Sequence, residues 1–474
     1  MNDDPVRRSM NRREMLRLTG LGLGAGVLSA PAAHSAADLR RDKPNIIFIL
    51  ADDLGYGDLG CYGQQVIETP NIDRMAAEGM RFTQCYAGST VCAPSRCALM
   101  TGLHTGHCFV RGNQRVPLPA EEVTIAEGLK DAGYYTGIIG KWGLGNEGTT
   151  GTPNRQGYDY AFGYLDQKHA HNYYPEYLWK NEERYPLKGN VESKEQPGVS
   201  VERKVYSHDL FAEEALRFAE EHKEGPFFLY FAVTVPHANN ERGSQSGNGM
   251  EVPDYGPYAD KDWPEPQKGH AAMISRLDRD VGRLLTRLKE LGLDDDTIVF
   301  FSSDNGTHKE GGADPEFFHS SGLLRGYKRD LYEGGIRVPM IVRWPGHVTA
   351  GAVSKQVWAF WDFMPTALEL AGAPAPKSID GISMTNALLG REQGNHEFLY
   401  WEFHERGFLQ AVRMGDWKAV RLASDKPLEL YDLRNDVGES KDVAKEHTDI
   451  VAKIETYLKG ARTFSEAWPG TSKP

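Results

Sequence analysis

The chain has 474 residues, of which 40% are apolar and 51 are glycine, a composition that is typical of globular proteins and excludes a disordered or collagen-like chain. Its length suggests about two or three domains. Lys and Arg number 54 against 66 Asp and Glu, so the net charge is −12, which argues against a protein held to nucleic acid by its overall charge. An anionic substrate must therefore be met by a local group of cationic side chains.

Residues 1–36 have the features of a targeting segment. They contain arginines near the start, then an apolar, glycine-rich run, then small residues. Residues 11–17 (NRREMLR) resemble the twin-arginine export signal of bacteria, which an export machinery reads. The alternative is an uncleaved membrane anchor, but the run is shorter than the roughly 18 apolar residues that span a bilayer. We therefore predict a periplasmic or secreted protein without a stable membrane span.

After this segment, predicted strands and helices alternate. Continuous apolar runs, typical of strands buried on both faces, lie at 45–51, 134–139, 226–233 and 297–302. Amphipathic segments, typical of helices, lie at 124–132, 207–222 and about 274–291. The alternation predicts an α/β fold with parallel strands joined by helices. In such sheets ligands bind at the carboxyl ends of the strands.

Two long stretches interrupt this pattern. Residues 143–201 are rich in Tyr, Asn and Gly, and residues 238–269 are polar with Pro and Gly throughout. Connections of this length inside a domain are usually functional or flexible. Their aromatic and polar side chains would suit a sugar ring, by stacking and by hydrogen bonds to hydroxyls.

The last section has a different pattern. After a composition change near residues 373–376, three segments alternate like antiparallel strands and a fourth is typical of a closing helix: 398–403, 407–414, 417–421 and 442–458. We predict a signal peptide at 1–36, an α/β catalytic domain at 37–391 and a smaller α+β domain at 392–474.

All five cysteines lie within 48 residues of one another: Cys61, Cys85, Cys92, Cys97 and Cys108. An odd number in an exported protein suggests that one thiol has a separate role. If Cys92 has that role, the other four are able to pair, with a connectivity that the sequence does not reveal.

Two polar pairs follow predicted strands, Asp52 with Asp53 and Asp304 with Asn305. Their oxygen donors suit a hard cation such as Ca²⁺ or Mg²⁺ better than Zn²⁺. A single pair of this kind is also found as a helix cap or loop anchor. Two pairs favour a cation, because three carboxylates brought together without one repel each other.

The most specific local pattern is Cys-Ala-Pro-Ser-Arg at residues 92–96. Pro94 suits the first turn of a helix and so places Cys92 at a helix N-terminus. Alone, this pattern is also compatible with an ordinary free thiol. The pentapeptide resembles the C-x-P-S-R signature of type I sulfatases, a family of the alkaline phosphatase superfamily. Further motifs of that family match in the same order: DDLGYG at 52–57, GKW at 140–142, SDNG at 303–306 and LYDL at 430–433.

This resemblance implies an alkaline-phosphatase-like fold, with a large, mostly parallel sheet between helices and a smaller C-terminal α+β domain. It implies that a formylglycine-generating enzyme oxidises Cys92 to formylglycine. It also implies a Ca²⁺ ion, preferred over Mg²⁺, with residue 92 and both polar pairs as its ligands.

The resemblance further implies a mechanism. The aldehyde of residue 92 hydrates, one hydroxyl attacks the sulfur of a sulfate ester, and the second allows the enzyme to expel sulfate by re-forming the aldehyde. Arg96 would favour the ionised hydroxyl, Lys141 and Lys328 would hold the sulfate, and His237 would protonate the leaving oxygen. Each also has an ordinary interpretation, as a structural ion pair, a solvated lysine or a hydrogen-bonded loop histidine.

The sequence departs from the family pattern at Gly143, because family members usually have Gly-Lys-Trp-His where this chain has Gly-Lys-Trp-Gly. Either the role of that histidine is absent or another residue fills it. His169 and His171, in the first long stretch, are candidate substrate-binding substitutes, and His308 is a further one. The alternative is that this stretch only packs its aromatic side chains.

We therefore predict a sulfatase that acts on a sulfated carbohydrate. Two other functions fit the same residues. A phosphate or phosphonate ester hydrolase of the same superfamily would use a similar site. A non-catalytic binder of sulfated glycans is compatible with the missing histidine.

Overall fold

The computed structural model describes residues 43–470. The predicted targeting segment lies outside the described residues. Within residues 43–470, no helix combines the length and the apolar character needed to cross a membrane.

The described part of the chain contains sixteen strands. They are β1 (Asn45–Ala51), β2 (Met80–Tyr86), β3 (Tyr135–Lys141), β4 (Tyr160–Tyr164), β5 (Tyr177–Lys180), β6 (Glu183–Pro186), β7 (Val191–Glu192), β8 (Ser200–Glu202), β9 (Phe227–Ala232), β10 (Thr297–Ser303), β11 (Arg337–Arg343), β12 (Ala352–Ala359), β13 (Leu399–Phe403), β14 (Leu409–Met414), β15 (Trp417–Arg421) and β16 (Glu429–Asp432). Ten of them form one large sheet, in the order β12-β2-β11-β10-β1-β9-β3-β4-β5-β6.

The centre of this sheet is parallel. Strands β10, β1, β9, β3 and β4 pair in parallel, whereas β11 pairs antiparallel with both β10 and β2 on one side, and β5 and β6 are antiparallel on the other. The predicted α/β fold with a mostly parallel sheet is confirmed.

Ten α-helices accompany these strands in residues 43–470. They are α1 (Pro70–Ala77), α2 (Cys92–Thr101), α3 (Ile125–Asp131), α4 (Ser207–Glu221), α5 (Asn240–Ser246), α6 (Glu265–Glu290), α7 (Glu333–Ile336), α8 (Phe363–Leu370), α9 (Thr385–Leu388) and α10 (Thr448–Leu458).

Strand β1 shows why its sequence is continuously apolar. Alternate residues of a strand point to opposite faces. Ile47 and Ile49 lie in the core that includes buried residues of α1, α4 and α6, and Phe48 lies in the opposite core with residues of α2, α3 and α8. Because helices cover both faces, the strand is apolar from Ile46 to Ala51. Asn45, at its start, is also buried, and its side-chain amide donates to Thr297 and accepts the backbone N–H of Phe227.

The structure corrects several predicted boundaries. Helix α6 begins nine residues before the predicted 274, and α10 begins six residues after the predicted 442. The late start of α10 has a local cause: the Asp442 carboxylate accepts hydrogen bonds from the backbone of Leu430 and Ala444, which holds this segment as a turn. The stretch 143–201 is not a loop, since β4 to β7 and most of β8 lie within it.

The C-terminal strands β13 to β16 form a separate antiparallel sheet in sequential order. The predicted C-terminal antiparallel sheet is confirmed, and β16 adds a fourth strand to the three that the sequence predicted. Trp401 and Phe403 of this sheet share a buried cluster with Tyr86 of β2 and Trp361. The small sheet is thus anchored to the large one by a common apolar core. The five cysteines are all free thiols, which answers the open question of pairing.

Candidate active site

The carboxyl ends of β1 and β10 bring the two polar pairs together. These strands pair in register, with Ala51 opposite Ser303. The backbone N–H of Asp53 donates to Asp304 Oδ1 at 3.1 Å, and Asn305 Nδ2 donates to Asp53 Oδ1 at 2.7 Å. All four polar side chains are buried. Successive residues of an extended strand point to opposite faces. Asp53 instead adopts a left-handed backbone conformation (φ +65°), and Asp52 and Asp53 both contact the site.

Cys92 is the first residue of α2 and is buried. Its Sγ lies 3.2 Å from Asp52 Oδ1. Pro94 occupies the first turn, where the missing N–H leaves no hydrogen bond unmade. The start of the helix is fixed from outside, because Asn113 Oδ1 accepts the N–H of Ala93 at 2.9 Å. The structure therefore places residue 92 against the carboxylates.

Arg96 lies one helical turn after Cys92 and has no exposed surface. Its Nε and Nη2 donate to Asp304 Oδ2 at 3.1 and 2.8 Å, and Nη2 is 3.4 Å from Asp52 Oδ2. Its Nη1 donates to the carbonyl oxygen of Lys141. The guanidinium thus joins the ends of β1, β3 and β10 and orients the carboxylates around residue 92.

Two buried lysines enter the site from different parts of the chain. Lys141 ends β3, and its Nζ lies 2.6 Å from Asp52 Oδ2. Lys328 comes from the loop before α7, and its Nζ lies 2.8 Å from Asp53 Oδ2 and 3.1 Å from His237 Nε2. Together with Arg96 they supply the local cationic group that an acidic protein needs for an anionic substrate.

His237 follows β9 and is buried beside Lys328. Its Nδ1 lies 2.6 Å from the carbonyl oxygen of Ala238, so Nδ1 carries a proton and Nε2 faces the ammonium of Lys328. Burial, followed by the charge of Lys328, lowers the pKa of His237 to about 3. The Tyr173 hydroxyl donates to the carbonyls of Thr234 and His237 and so fixes this loop.

Burial and neighbouring charges perturb the acidic groups of the site. Burial and then Asp52 raise the pKa of Asp304 to about 7. Burial alone would raise the pKa of Asp52, but Lys141, His237 and Arg96 outweigh it and hold that pKa below its usual range. Burial, with Asp304 and Asp52, raises the pKa of the Cys92 thiol well above its usual value. An unmodified thiol at this position is therefore a poor source of thiolate.

The donor set fits a hard cation. Ligand atoms of Asp52, Asp53, Cys92 and His237 all lie within 4.8 Å of one another. Asn305 Oδ1 is buried and has no hydrogen-bond partner among the described residues. A buried amide oxygen without a partner costs free energy, which a bound cation would offset. With the carboxylates of Asp52 and Asp53, this oxygen is a donor of the kind that Ca²⁺ and Mg²⁺ prefer. The carboxylate of Asp304, a predicted ligand, is hydrogen-bonded to Arg96 and to the backbone N–H of Asp53.

The three candidate substitutes for a side chain at position 143 have different surroundings. His171 stacks on His237 with ring centroids 4.8 Å apart, and its Nδ1 is 3.0 Å from Glu241 Oε2. His169 packs instead against Tyr164 and Tyr177, with both ring nitrogens buried and unpaired among the described residues. His169 therefore does not enter the site as predicted. The turn that carries both histidines directs the ring of His169 into an aromatic cluster.

His308 lies at the site, close to Asp53 and with its ring stacked 6.1 Å from that of His237, but both of its ring nitrogens are engaged. Its Nε2 lies 3.2 Å from the Pro236 carbonyl oxygen, and its Nδ1 accepts the N–H of Glu310. With both nitrogens committed to the backbone, it supports the loop that carries His237. The aromatic side chains of residues 143–201 differ from expectation as well, since Tyr164, Tyr173 and Tyr174 are buried and belong to the core.

Glu310 is a site residue that sequence reasoning missed. Its Oε2 lies 2.9 Å from Lys328 Nζ and 3.8 Å from His237 Nε2, and its Oε1 pairs with Arg329. Glu310 and Asp53 thus both bind the ammonium of Lys328. The only sequence signal was its position five residues after Asn305 in a polar run, which is shared by many loop glutamates.

Two family models match the chain. The model described as "Sulfatase" matches residues 44–373, and the model "N-sulphoglucosamine sulphohydrolase, C-terminal" matches residues 326–463. The first spans every residue of the site described above.

Relatives and solved structures agree with these matches. The chain is 35% identical to arylsulfatase A of Homo sapiens, over 84% of this chain and 82% of that protein. It is 30% identical to N-acetylgalactosamine-6-O-sulfatase of Bacteroides thetaiotaomicron, over 89% and 93% respectively. The crystal structure of Ps i-CgsB in complex with k-i-k-neocarrahexaose superposes with a TM-score of 0.76 at 29% identity, covering 91% of this chain and 95% of that one. The chain belongs to the type I sulfatases of the alkaline phosphatase superfamily and is a sulfuric ester hydrolase.

Proposed function

We propose that this enzyme hydrolyses a sulfate ester of a carbohydrate, with residue 92, as formylglycine, supplying the nucleophile. The observation that carries the proposal is the position of Cys92 at the start of α2, with its Sγ 3.2 Å from Asp52 Oδ1, beside the aspartate pair that the buried Lys141 and Lys328 contact. A sulfate group placed there would meet the cationic side chains of Lys141 and Lys328. The hydrated formylglycine supplies one hydroxyl for attack on sulfur and a second that permits release of sulfate.

The ligands we propose for a Ca²⁺ ion are Asp52, Asp53, Asp304, Asn305 and residue 92. Such a cation supplies positive charge that favours an ionised hydroxyl at residue 92. Arg96 has a different task, because its two hydrogen bonds to Asp304 hold that carboxylate in place.

We propose that His237 and Lys328 act as a pair on the leaving oxygen. General-acid catalysis needs a proton at His237 Nε2, whereas the Nδ1 proton is committed to the Ala238 carbonyl. The ammonium of Lys328, 3.1 Å from Nε2, is the adjacent proton donor. His171 stacks on the His237 ring, and we propose that it sets the orientation of that ring and borders the substrate.

The choice of a carbohydrate rests on the relatives. Two of them are an N-acetylgalactosamine-6-O-sulfatase and a protein crystallised with k-i-k-neocarrahexaose. Export through a twin-arginine signal and maturation by a formylglycine-generating enzyme complete the proposal, and both are supported by sequence alone.

The test of this function is a comparison of ester types. Protein expressed in a host that converts Cys92 is assayed on sulfated mono- and oligosaccharides and on the matching phosphate esters. We expect sulfate release with a higher kcat/KM than phosphate release. Preferred phosphate release would instead support the ester hydrolase alternative, which a phosphonate monoester hydrolase of Agrobacterium radiobacter matches in fold (TM-score 0.59, 20% identity). Glycan binding without any release from converted protein would support a non-catalytic binder.

Removal of the cation is expected to lower both activity and stability. Stripping with EDTA leaves three buried carboxylates without their proposed counter-ion, and added Ca²⁺ at about 100 times its Kd should restore about 2.7 kcal/mol of unfolding free energy. Thermal unfolding with and without Ca²⁺ measures this gain in stability independently of turnover. Asn305→Ala should reduce the Ca²⁺-dependent gain, whereas the exposed control Asn435→Ala should not. An equal gain in both variants would remove Asn305 from the ligand set.

A further inference from the structure

The side chain of Gln167 approaches the site from the strand next to Lys141. Strands β3 and β4 run parallel, with Lys141 opposite Tyr164. The pairing continues beyond both strands, because the N–H groups of Trp142 and Gly143 donate to the carbonyls of Tyr164 and Leu165 at 3.0 and 2.9 Å. The chain that carries Gln167 therefore follows the segment just beyond Lys141.

Gln167 and Gly143 compete for the same space. A Cβ atom added at Gly143 would lie only 2.3 Å from Gln167 Nε2 and 3.7 Å from Arg96 Cδ. Gly143 also adopts the left-handed conformation (φ +84°), which side-chain-bearing residues rarely adopt. A side chain at position 143 would thus displace the Gln167 amide from its place beside Arg96.

The amide nitrogen of Gln167 has no hydrogen-bond partner in the described part of the chain. Its Nε2 is buried and makes no hydrogen bond within residues 43–470. A buried donor without an acceptor is unfavourable, and native proteins usually satisfy such groups with protein, water or ligand. The other side chain that lies beside this position, Arg96, is cationic and supplies no acceptor. An anionic oxygen would suit both the donor and its surroundings.

We propose that Gln167 is a substrate-binding residue whose amide N–H donates to an oxygen of the sulfate group. This inference rests on the proposed sulfatase function and adds a neutral donor to the two lysines. The Gln167 amide occupies the space beside Arg96 that a side chain at position 143 would otherwise occupy. Gln167 follows β4, whereas the histidine that family members usually have at position 143 follows β3.

The test uses inorganic sulfate as a probe, in addition to turnover. Gln167→Leu removes the donor but keeps a side chain of similar size. Gln167→Glu replaces the donor with a carboxylate, which repels sulfate. The control is Gln65→Leu, at an exposed position. We expect Gln167→Leu to lower kcat/KM by about 100-fold, at the lower end of the loss found when one donor to a developing anion is removed. Calorimetry should show sulfate binding weakened by about tenfold, and more for Gln167→Glu, while Gln65→Leu matches the wild type.

The outcomes separate this inference from the proposed function. Sulfate affinity and kcat/KM within twofold of wild type in Gln167→Leu would overturn the role of Gln167 and leave the sulfatase function intact. A lower melting temperature with unchanged sulfate affinity would also overturn it, because it would indicate a packing role. A wild-type protein that binds sulfate through Gln167 but releases none from esters would instead overturn the proposed function.

Discussion

Cys92→Ala is expected to abolish sulfate release, with a fall in kcat of at least about 10⁴-fold, as found when the nucleophile is removed from other hydrolases. The reason is local. Arg96, Lys141 and Lys328 would still surround the site, but no side chain at position 92 would attack sulfur. Sulfate release measured by ion chromatography gives the rate, and mass spectrometry of the peptide containing residue 92 reports its chemical state.

The matched control is Cys108→Ala. This cysteine is also buried, but its thiol contacts the Val110 carbonyl oxygen and lies outside the carboxylate group. We expect the control to keep the converted residue 92 and most of the activity. Turnover by Cys92→Ala, or full activity in protein whose residue 92 remains a plain cysteine, would refute the proposed nucleophile.

Lys418→Met is expected to destabilise the fold by about 3 kcal/mol, the cost of leaving a buried charge without its partner. Lys418 lies on β15 and has no exposed surface. Its Nζ is 3.1 Å from Glu333 Oε1 and 3.3 Å from Glu439 Oε1. Glu333 belongs to α7, directly before β11 of the large sheet, so this network joins the small sheet to the large one.

The two carboxylates would respond differently to this change. Glu333 would keep Arg337 at 3.2 Å and the Tyr86 hydroxyl at 2.7 Å. Among the donors in residues 43–470, the carboxylate of Glu439 would keep only the backbone N–H of Glu333. Burial, only partly offset by Lys418, already raises the pKa of Glu439 to about 7. Loss of the lysine should therefore act mainly through Glu439.

Urea unfolding at neutral pH measures the effect. Lys441→Met is the control, because Lys441 pairs with Glu446 at the surface, where an ion pair contributes about 0–1 kcal/mol. Adding Glu439→Gln to Lys418→Met should recover part of the loss, since it removes the uncompensated charge. A Lys418→Met variant as stable as Lys441→Met would show that the network does not stabilise the contact between the sheets.

The pattern of apolar runs was enough to predict the central strands. Residues 45–51 and 297–302 are buried on both faces, and a strand of that kind has a distinctive continuous apolar sequence. Strands β2, β4, β5, β6, β11 and β12 of the large sheet were not predicted. Strand β2 mixes buried and half-buried residues without a regular pattern, and β5 and β6 have only four residues each, so the sequences of these three resemble loops. Their pairing depends on contacts with distant segments.

The candidate site divides along similar lines. Residues that lie directly after a strand or at a helix start, such as Asp52, Lys141 and Cys92, were found from local sequence because those positions face the ligand edge of the sheet. Glu310 and Gln167 were missed. Both lie in irregular segments. The path of the chain brings Glu310 to Lys328 and Gln167 to Gly143. His169 and His171 are two residues apart, yet only His171 contacts His237.

The sequence by itself determined the fold class, the family and the identity of the residues at strand ends, because periodicity and short motifs report on local conformation and burial. Only the tertiary structure decided which charged groups share one buried site, which histidine contacts it, and that Gly143 leaves room for Gln167. These features depend on distances between residues far apart in the chain, and packing in three dimensions sets those distances.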